Sequence, residues 1–141
     1  MRTPLHMALI AASDAHRKRS FGEFASLGLT KGQPKVLAHL LGEEGLSQKE
    51  LAKRCGVEPA TMTVLLRRMG ERGLIRKEEV RVSGGKRSYK IYLTPQGREA
   101  GRNAMDVIWR MEEKSYRGFT QEEKDQLISL LERVVRNLDV E

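Results

Sequence analysis

The chain has 141 residues, 39% hydrophobic and 32% charged, with a formal net charge of +7. That is enough chain for one modest core, too polar a composition for a membrane protein and too apolar for a disordered one. With Cys55 as its single cysteine, one chain can form neither an intrachain disulfide nor a cysteine-based zinc site.

The histidines, His6, His16 and His39, are too widely spaced to make a short metal-ligand pair, so no metal or cofactor is expected. No apolar run approaches the roughly 20 residues that span a bilayer. The short apolar patch Met7 to Ala12 precedes Arg17, Lys18 and Arg19, the reverse of a secretory signal, which carries its positive charge first. The expectation is a cytoplasmic, nucleoid-associated protein with no membrane partner. The charge is unevenly placed: residues 46–94 hold 12 Lys+Arg against 5 Asp+Glu, while the rest holds 14 of each. All the net charge therefore lies in the central third, which suits a polyanion-binding module better than a merely solvated face.

In chain order, Pro4 to Ser20 reads as a helix with Leu5, Leu9 and Ala12 on one face, and Gly22 and Gly28 loosen the segment after it. Thr30 with Gln33 three residues on resembles a capping box opening a second helix, whose apolar stripe is Val36, Leu37, Leu40 and Leu41. Ser47-Gln48-Lys49-Glu50 is a complete capping-box pattern for a short helix with Leu51, Ala52 and Cys55 inward and Gly56 as its stop. Pro59 suits the first turn of the next helix, which runs to about Arg72. Two helices joined by three or four residues that include glycine are the helix-turn-helix pattern.

The second of these helices has two contrasting faces. Met62, Leu65, Leu66 and Met69 follow the i, i+3, i+4, i+7 spacing of a buried stripe. The other face carries Ala60, Thr61, Thr63, Val64, Arg67 and Arg68. Small residues near the N-terminus with two arginines beyond them make a surface able to enter a major groove, and the helix start offers N–H groups to phosphate. Val64 is an odd choice for plain solvent and is suited to packing on a thymine methyl.

Beyond Gly73, the strand-like segments Leu74 to Lys77 and Lys90 to Leu93 flank a turn with Ser83-Gly84-Gly85 and the basic residues Arg81, Lys86, Arg87 and Lys90. A basic hairpin here is a wing, spanning about 80–90. Thr94-Pro95 then caps a helix to about Tyr116 with Ala100, Ala104, Val107, Ile108 and Met111 inward. Thr120 to Glu123 is another capping box, before a helix bearing Leu127, Leu130, Leu131, Val134, Val135 and Leu138 at helical spacing. A second copy of the chain is the simplest cover for that stripe, with Leu5 and Leu9 of the first helix joining in.

These pieces resemble, in order and in residues, the multiple-antibiotic-resistance regulator (MarR) family. The resemblance rests on Gly28-Leu29-Thr30 with Gln33, Val36-Leu37, Ser47 to Ala52, Pro59 to Thr63, Gly73-Leu74-Ile75 and Leu93 to Gly97. It implies a mainly α fold with a small β-hairpin wing, a winged helix-turn-helix within a helical dimer. Residues 1–29 and 95–141 would be dimerisation helices around a DNA-binding region at 30–94, one intertwined domain overall. It also implies a repressor on palindromic promoter DNA, released by a small aromatic or phenolic effector. Pro59, Ala60, Thr61, Thr63, Val64, Arg67 and Arg68, joined by Ser47, Gln48, Lys86 and Arg87, would meet the DNA. His16, His39, Met105 and Trp109 would border the effector cavity. Two departures stand out: Gly85 occupies the aspartate position of the family's Asp-x-Arg wing, and Val64 replaces a common arginine.

The alternative from a different class is a general winged-helix nucleic-acid or protein-interaction module with no specific operator; the long C-terminal stripe argues against it. No phosphate-binding glycine loop or nucleophile–base set supports an enzyme.

Overall fold

The computed structural model describes residues 2–81 and 84–139. Six helices and three short strands run in the order α1 (Leu5–Ser26), α2 (Gln33–Gly42), β1 (Leu46–Ser47), α3 (Gln48–Cys55), α4 (Pro59–Glu71), β2 (Ile75–Arg81), β3 (Arg87–Leu93), α5 (Pro95–Ser115) and α6 (Gln121–Leu138). The architecture is mainly helical with a small antiparallel sheet of order β1-β3-β2. Residues Val82 and Ser83, the latter opening the expected Ser83-Gly84-Gly85 tip, and the terminal residues Met1, Val140 and Glu141 lie outside the described residues.

The core belongs to the central segment. Val36, Leu37 and Leu40 of α2, Leu51, Ala52 and Cys55 of α3, and Met62, Leu65, Leu66 and Met69 of α4 close over Ile75, Ile91 and Leu93 of the sheet. α5 adds Ala104 from outside, packing along α2 and α1. The apolar faces expected of α3 and α4 are therefore the buried ones.

Local chemistry sets most of the boundaries. Ser47 accepts the Glu50 N–H, Thr94 accepts the Gly97 N–H, and Thr120 with Glu123 completes a reciprocal capping box. Gly56 ends α3 in the left-handed conformation at φ 66°, which glycine adopts without a Cβ penalty. Two boundaries and one cap differ from expectation. α1 runs past Gly22 to Ser26, because a single glycine costs a helix only about 1 kcal/mol. α2 begins at Gln33 rather than Thr30: residues 31–32 form a turn, and Gln33 Oε1 accepts the Thr30 N–H, so Pro34 falls in the first turn where its missing N–H costs nothing. Only half of the Ser47 box forms, since the Glu50 carboxylate faces Arg54 at 3.7 Å.

β1 has no counterpart among the sequence expectations. Leu46 and Ser47 pair with Ile91 and Lys90, which joins the start of α3 to the hairpin. Glu44 reinforces the same junction: it accepts the Leu93 N–H at 2.9 Å and Arg98 Nη2 at 2.6 Å. These bonds, the Arg98 contact first, hold its carboxyl below its ordinary range. At the other end of the sheet's base, α5 approaches so closely that a Cβ at Gly97 would overlap the Leu74 carbonyl oxygen.

Candidate nucleic-acid interface

α3, the Gly56–Glu58 turn and α4 form the helix-turn-helix. α4 turns its apolar stripe inward, so Ala60, Thr61, Thr63, Val64, Arg67 and Arg68 are all exposed, Val64 by 40%. Pro59 opens the helix without a side-chain cap. The N–H groups of its first turn therefore have no capping side chain and are oriented for an anion.

Ser47 and Gln48, half-buried at the start of α3, stand beside this face. Gln48 Nε2 donates to Thr63 Oγ1 at 2.8 Å, and Thr63 Oγ1 donates in turn to the Pro59 carbonyl at 3.1 Å. One polar chain thus ties α3 to the outer face of α4. Arg67 reaches Glu71 at 3.4 Å, with both side chains more than half exposed, a pairing weak enough to be exchanged for a phosphate or a base. Arg72 plays a different part, donating to the Gly28 carbonyl and to Gln33 Oε1 and so pinning the α1–α2 connection to the end of α4.

In the wing, β2 and β3 pair from Ile75↔Leu93 to Arg81↔Arg87. Lys77, Glu79, Arg81, Arg87 and Tyr89 share one face, since alternate residues of a strand point the same way. Gly84 and Gly85 both have positive φ, 85° and 74°. The glycine at the usual aspartate position therefore suits a backbone that an aspartate would strain. Arg87 nevertheless has a carboxylate, because Glu79 lies diagonally across the ladder with Oε1 3.1 Å from Arg87 Nε. The carboxylate beside Arg87 thus comes from the opposite strand and not from position 85. Its signal is readable once the register is known: residues 79, 81, 87 and 89 fall on one side. Arg81 and Arg87 also oppose each other directly, a like-charge pair that a bound anion would relieve. Lys86 is exposed beside them. Nearer the base, Arg76 lies over the Tyr92 ring at 4.5 Å and Lys77 over Tyr89 at 5.6 Å, so these cations are partly engaged by aromatic faces.

The other expected residues lie away from this surface. His16 is exposed, His39 and Met105 are half-buried, and Trp109 is 59% exposed. None of the four lines the cleft of about 180 Å³ bounded by Leu27, Arg72, Leu74 and Gln96, nor the open groove at the α5–α6 corner. Leu5 and Leu9 of α1 are exposed, as are Leu127, Leu130, Leu131, Val135 and Leu138 of α6, with Val134 half-buried. Cys55 is buried, and burial pushes its thiol above its ordinary pKa, which disfavours the reactive thiolate. Among the described residues, no group of three or more His, Cys, Asp or Glu could hold a metal ion, and no helix is long and apolar enough to cross a membrane.

A helix-turn-helix followed directly by a paired, basic β-hairpin defines the winged-helix class of protein. Comparison with known proteins specifies it further. Residues 27–87 match the model of the MarR family. The chain is 30% identical over 121 residues to the uncharacterized HTH-type transcriptional regulator YybA of Bacillus subtilis (strain 168), covering 83% of this chain and 77% of that one. It is 28% identical over 131 residues, 93% of each chain, to the HTH-type transcriptional repressor Rv2887 of Mycobacterium tuberculosis (strain ATCC 25618 / H37Rv). The structure of Rv2887 in complex with DNA superposes with a TM-score of 0.73 at 23% identity, over 94% of this chain and 98% of that one. NadR in complex with 4-hydroxyphenylacetate has the same fold, with a TM-score of 0.79 at 18% identity over 94% and 93% of the two chains. The chain belongs to the MarR family of transcription regulators.

Proposed function

We propose that the chain acts as a homodimeric, sequence-specific repressor of a palindromic promoter, with α4 in the major groove and the wing tip against the flanking backbone. The observation that carries this reading is the outer face of α4: six side chains of groove-reading type stand exposed on a helix whose other face is fully packed. The facing Arg81 and Arg87 at the wing supply a second anion-seeking point. Rv2887, a relative along nearly its whole length, is a transcriptional repressor whose structure is known in complex with DNA. On this reading residues 30–94 bind DNA, residues 1–29 and 95–141 dimerise, and the chain works in the cytoplasm by binding alone, without catalysis. The exposed leucines of α1 and α6 are the surface that a second copy covers.

An effector of small aromatic or phenolic type fits the same scheme, since NadR has been crystallised in complex with 4-hydroxyphenylacetate. Trp109 is the only tryptophan, so its fluorescence is the readout for a ligand that binds beside it. Titration with phenolic acids is expected to change that emission and release DNA at the same concentration.

The decisive experiment selects bound sequences from a random duplex library at about 150 mM salt. An enriched inverted repeat with half-sites one turn apart, ~34 Å, is expected. Binding without enrichment favours the general nucleic-acid module instead.

A further inference from the structure

Resting on that DNA-binding reading, we infer that α4 selects its bases by their methyl groups: Ala60, Thr63 and Val64 form a strip that reads the 5-methyl of thymine.

A threonine hydroxyl has one proton and two lone pairs. The Thr63 proton is committed to the Pro59 carbonyl at 3.1 Å, so toward Gln48 the oxygen can only accept, and it does so from Nε2 at 2.8 Å. The exposed hydroxyl at the centre of the recognition face therefore has no proton to give to guanine O6 or N7 or to thymine O4. What it still offers is its γ-methyl and one acceptor lone pair. The same bond fixes the amide of Gln48 with its NH2 toward Thr63, which leaves its carbonyl as the polar group at the edge of the strip.

The neighbours share this apolar character. Ala60, Thr63, Val64 and Arg67 are spaced i, i+3, i+4, i+7 and so form one exposed stripe, the outward counterpart of Met62, Leu65, Leu66 and Met69. Three successive members of that stripe present methyl groups, and Val64 is 40% exposed on a helix whose buried residues all lie on the opposite face. In the major groove only thymine among the four bases presents a methyl group. A row of methyls with no hydroxyl proton is complementary to that feature and to no base pattern that requires a donor from this position.

The test alters the DNA rather than the fold. On the selected operator, each thymine is replaced in turn by deoxyuracil, which removes the 5-methyl and leaves pairing unchanged. At one position or more in each half-site the affinity is expected to fall about fourfold, the value of one methyl withdrawn from water. Val64→Ala is expected to abolish the discrimination there. Thr63→Ser, which keeps the hydroxyl bonds and loses the methyl, is expected to weaken it, whereas Thr63→Val is expected to preserve it. Equal binding of thymine and deoxyuracil at every position, by a protein that still selects an operator, overturns the methyl reading and leaves the regulator reading standing. So does a selected half-site without thymine. Absence of any sequence selection by the unaltered protein overturns both.

Discussion

α4 and α6 carry apolar stripes of the same helical spacing and meet opposite fates. In α4, Met62, Leu65, Leu66 and Met69 are buried by α3, the sheet and α2. In α6, Leu127, Leu130, Leu131 and Leu138 face outward and no described residue is buried, Val134 being only partly covered. A stripe announces that a helix has a face to cover; whether the cover lies in the same chain depends on where the neighbouring elements fall. Around α4 they converge within some 60 residues of sequence. α6 leaves the body after the Tyr116–Phe119 corner, and its stripe stays open to solvent among the described residues. The stripes of the central segment are thus covered within the chain, with α5 contributing, whereas α1 and α6 keep apolar residues exposed.

The sharpest way to break the comparison is to attack the closed region where it has least room. Gly97→Ala drives a methyl into the Leu74 carbonyl and is expected to cost about 3 kcal/mol or more, since backbone must move. The loss appears in thermal unfolding and does not depend on protein concentration. A cost below about 1 kcal/mol would mean that α5 does not sit so closely on the base of the wing.

The open region is expected to respond differently. Leu127→Asp with Leu131→Asp leaves each folded winged helix intact while dispersing the dimer, seen as a halved mass in sedimentation. The midpoint of unfolding of the unaltered protein rises with concentration, and that of the variant does not. A variant that stays dimeric places the interface elsewhere.

Two smaller effects sharpen the picture of the central segment. Arg67→Ala is expected to cost about 1–3 kcal/mol of operator affinity and relax specificity at one position if the guanidinium leaves Glu71 for a base. Arg87→Ala and Lys86→Ala are expected to weaken binding to all sequences alike and to reduce the salt slope by about 1 each, as phosphate contacts do.

The smallest effect belongs to Glu44. Its folded pKa lies below the ordinary value of 4.5 because Arg98 and the Leu93 N–H favour the carboxylate. The linked stability is complete above the unfolded pKa and is lost as pH falls through the folded one. Glu44→Gln is expected to cost up to about 1 kcal/mol at neutral pH, for a partly exposed pair. It should also flatten the dependence of stability on pH below about 4.5. An unchanged acid limb would assign that dependence to other carboxylates.

Much of this is legible in the sequence, and the reason is locality. The caps at Ser47, Thr94 and Thr120 join residues three apart, and the stop at Gly56 is a property of one residue's backbone. The two faces of α4 follow from a period of 3.6 residues, so the exposed set from Ala60 to Arg68 can be written down from the sequence. Even the start of α2 departs from expectation only by the short turn between Thr30 and Gln33.

Contacts between groups far apart along the chain are a different matter. Gln48 meets Thr63 across 15 residues, Arg72 meets Gly28 across 44, and Glu44 meets Arg98 across 54. The two-residue strand β1 has no periodicity to read and exists only because β3 is there to pair with it. Glu79 becomes the partner of Arg87 only when the hairpin register sets them diagonally on one face. Periodicity and capping are written in neighbouring residues, whereas pairing depends on the path of the whole chain, so local chemistry determined the elements and the tertiary structure decided which side chains work together.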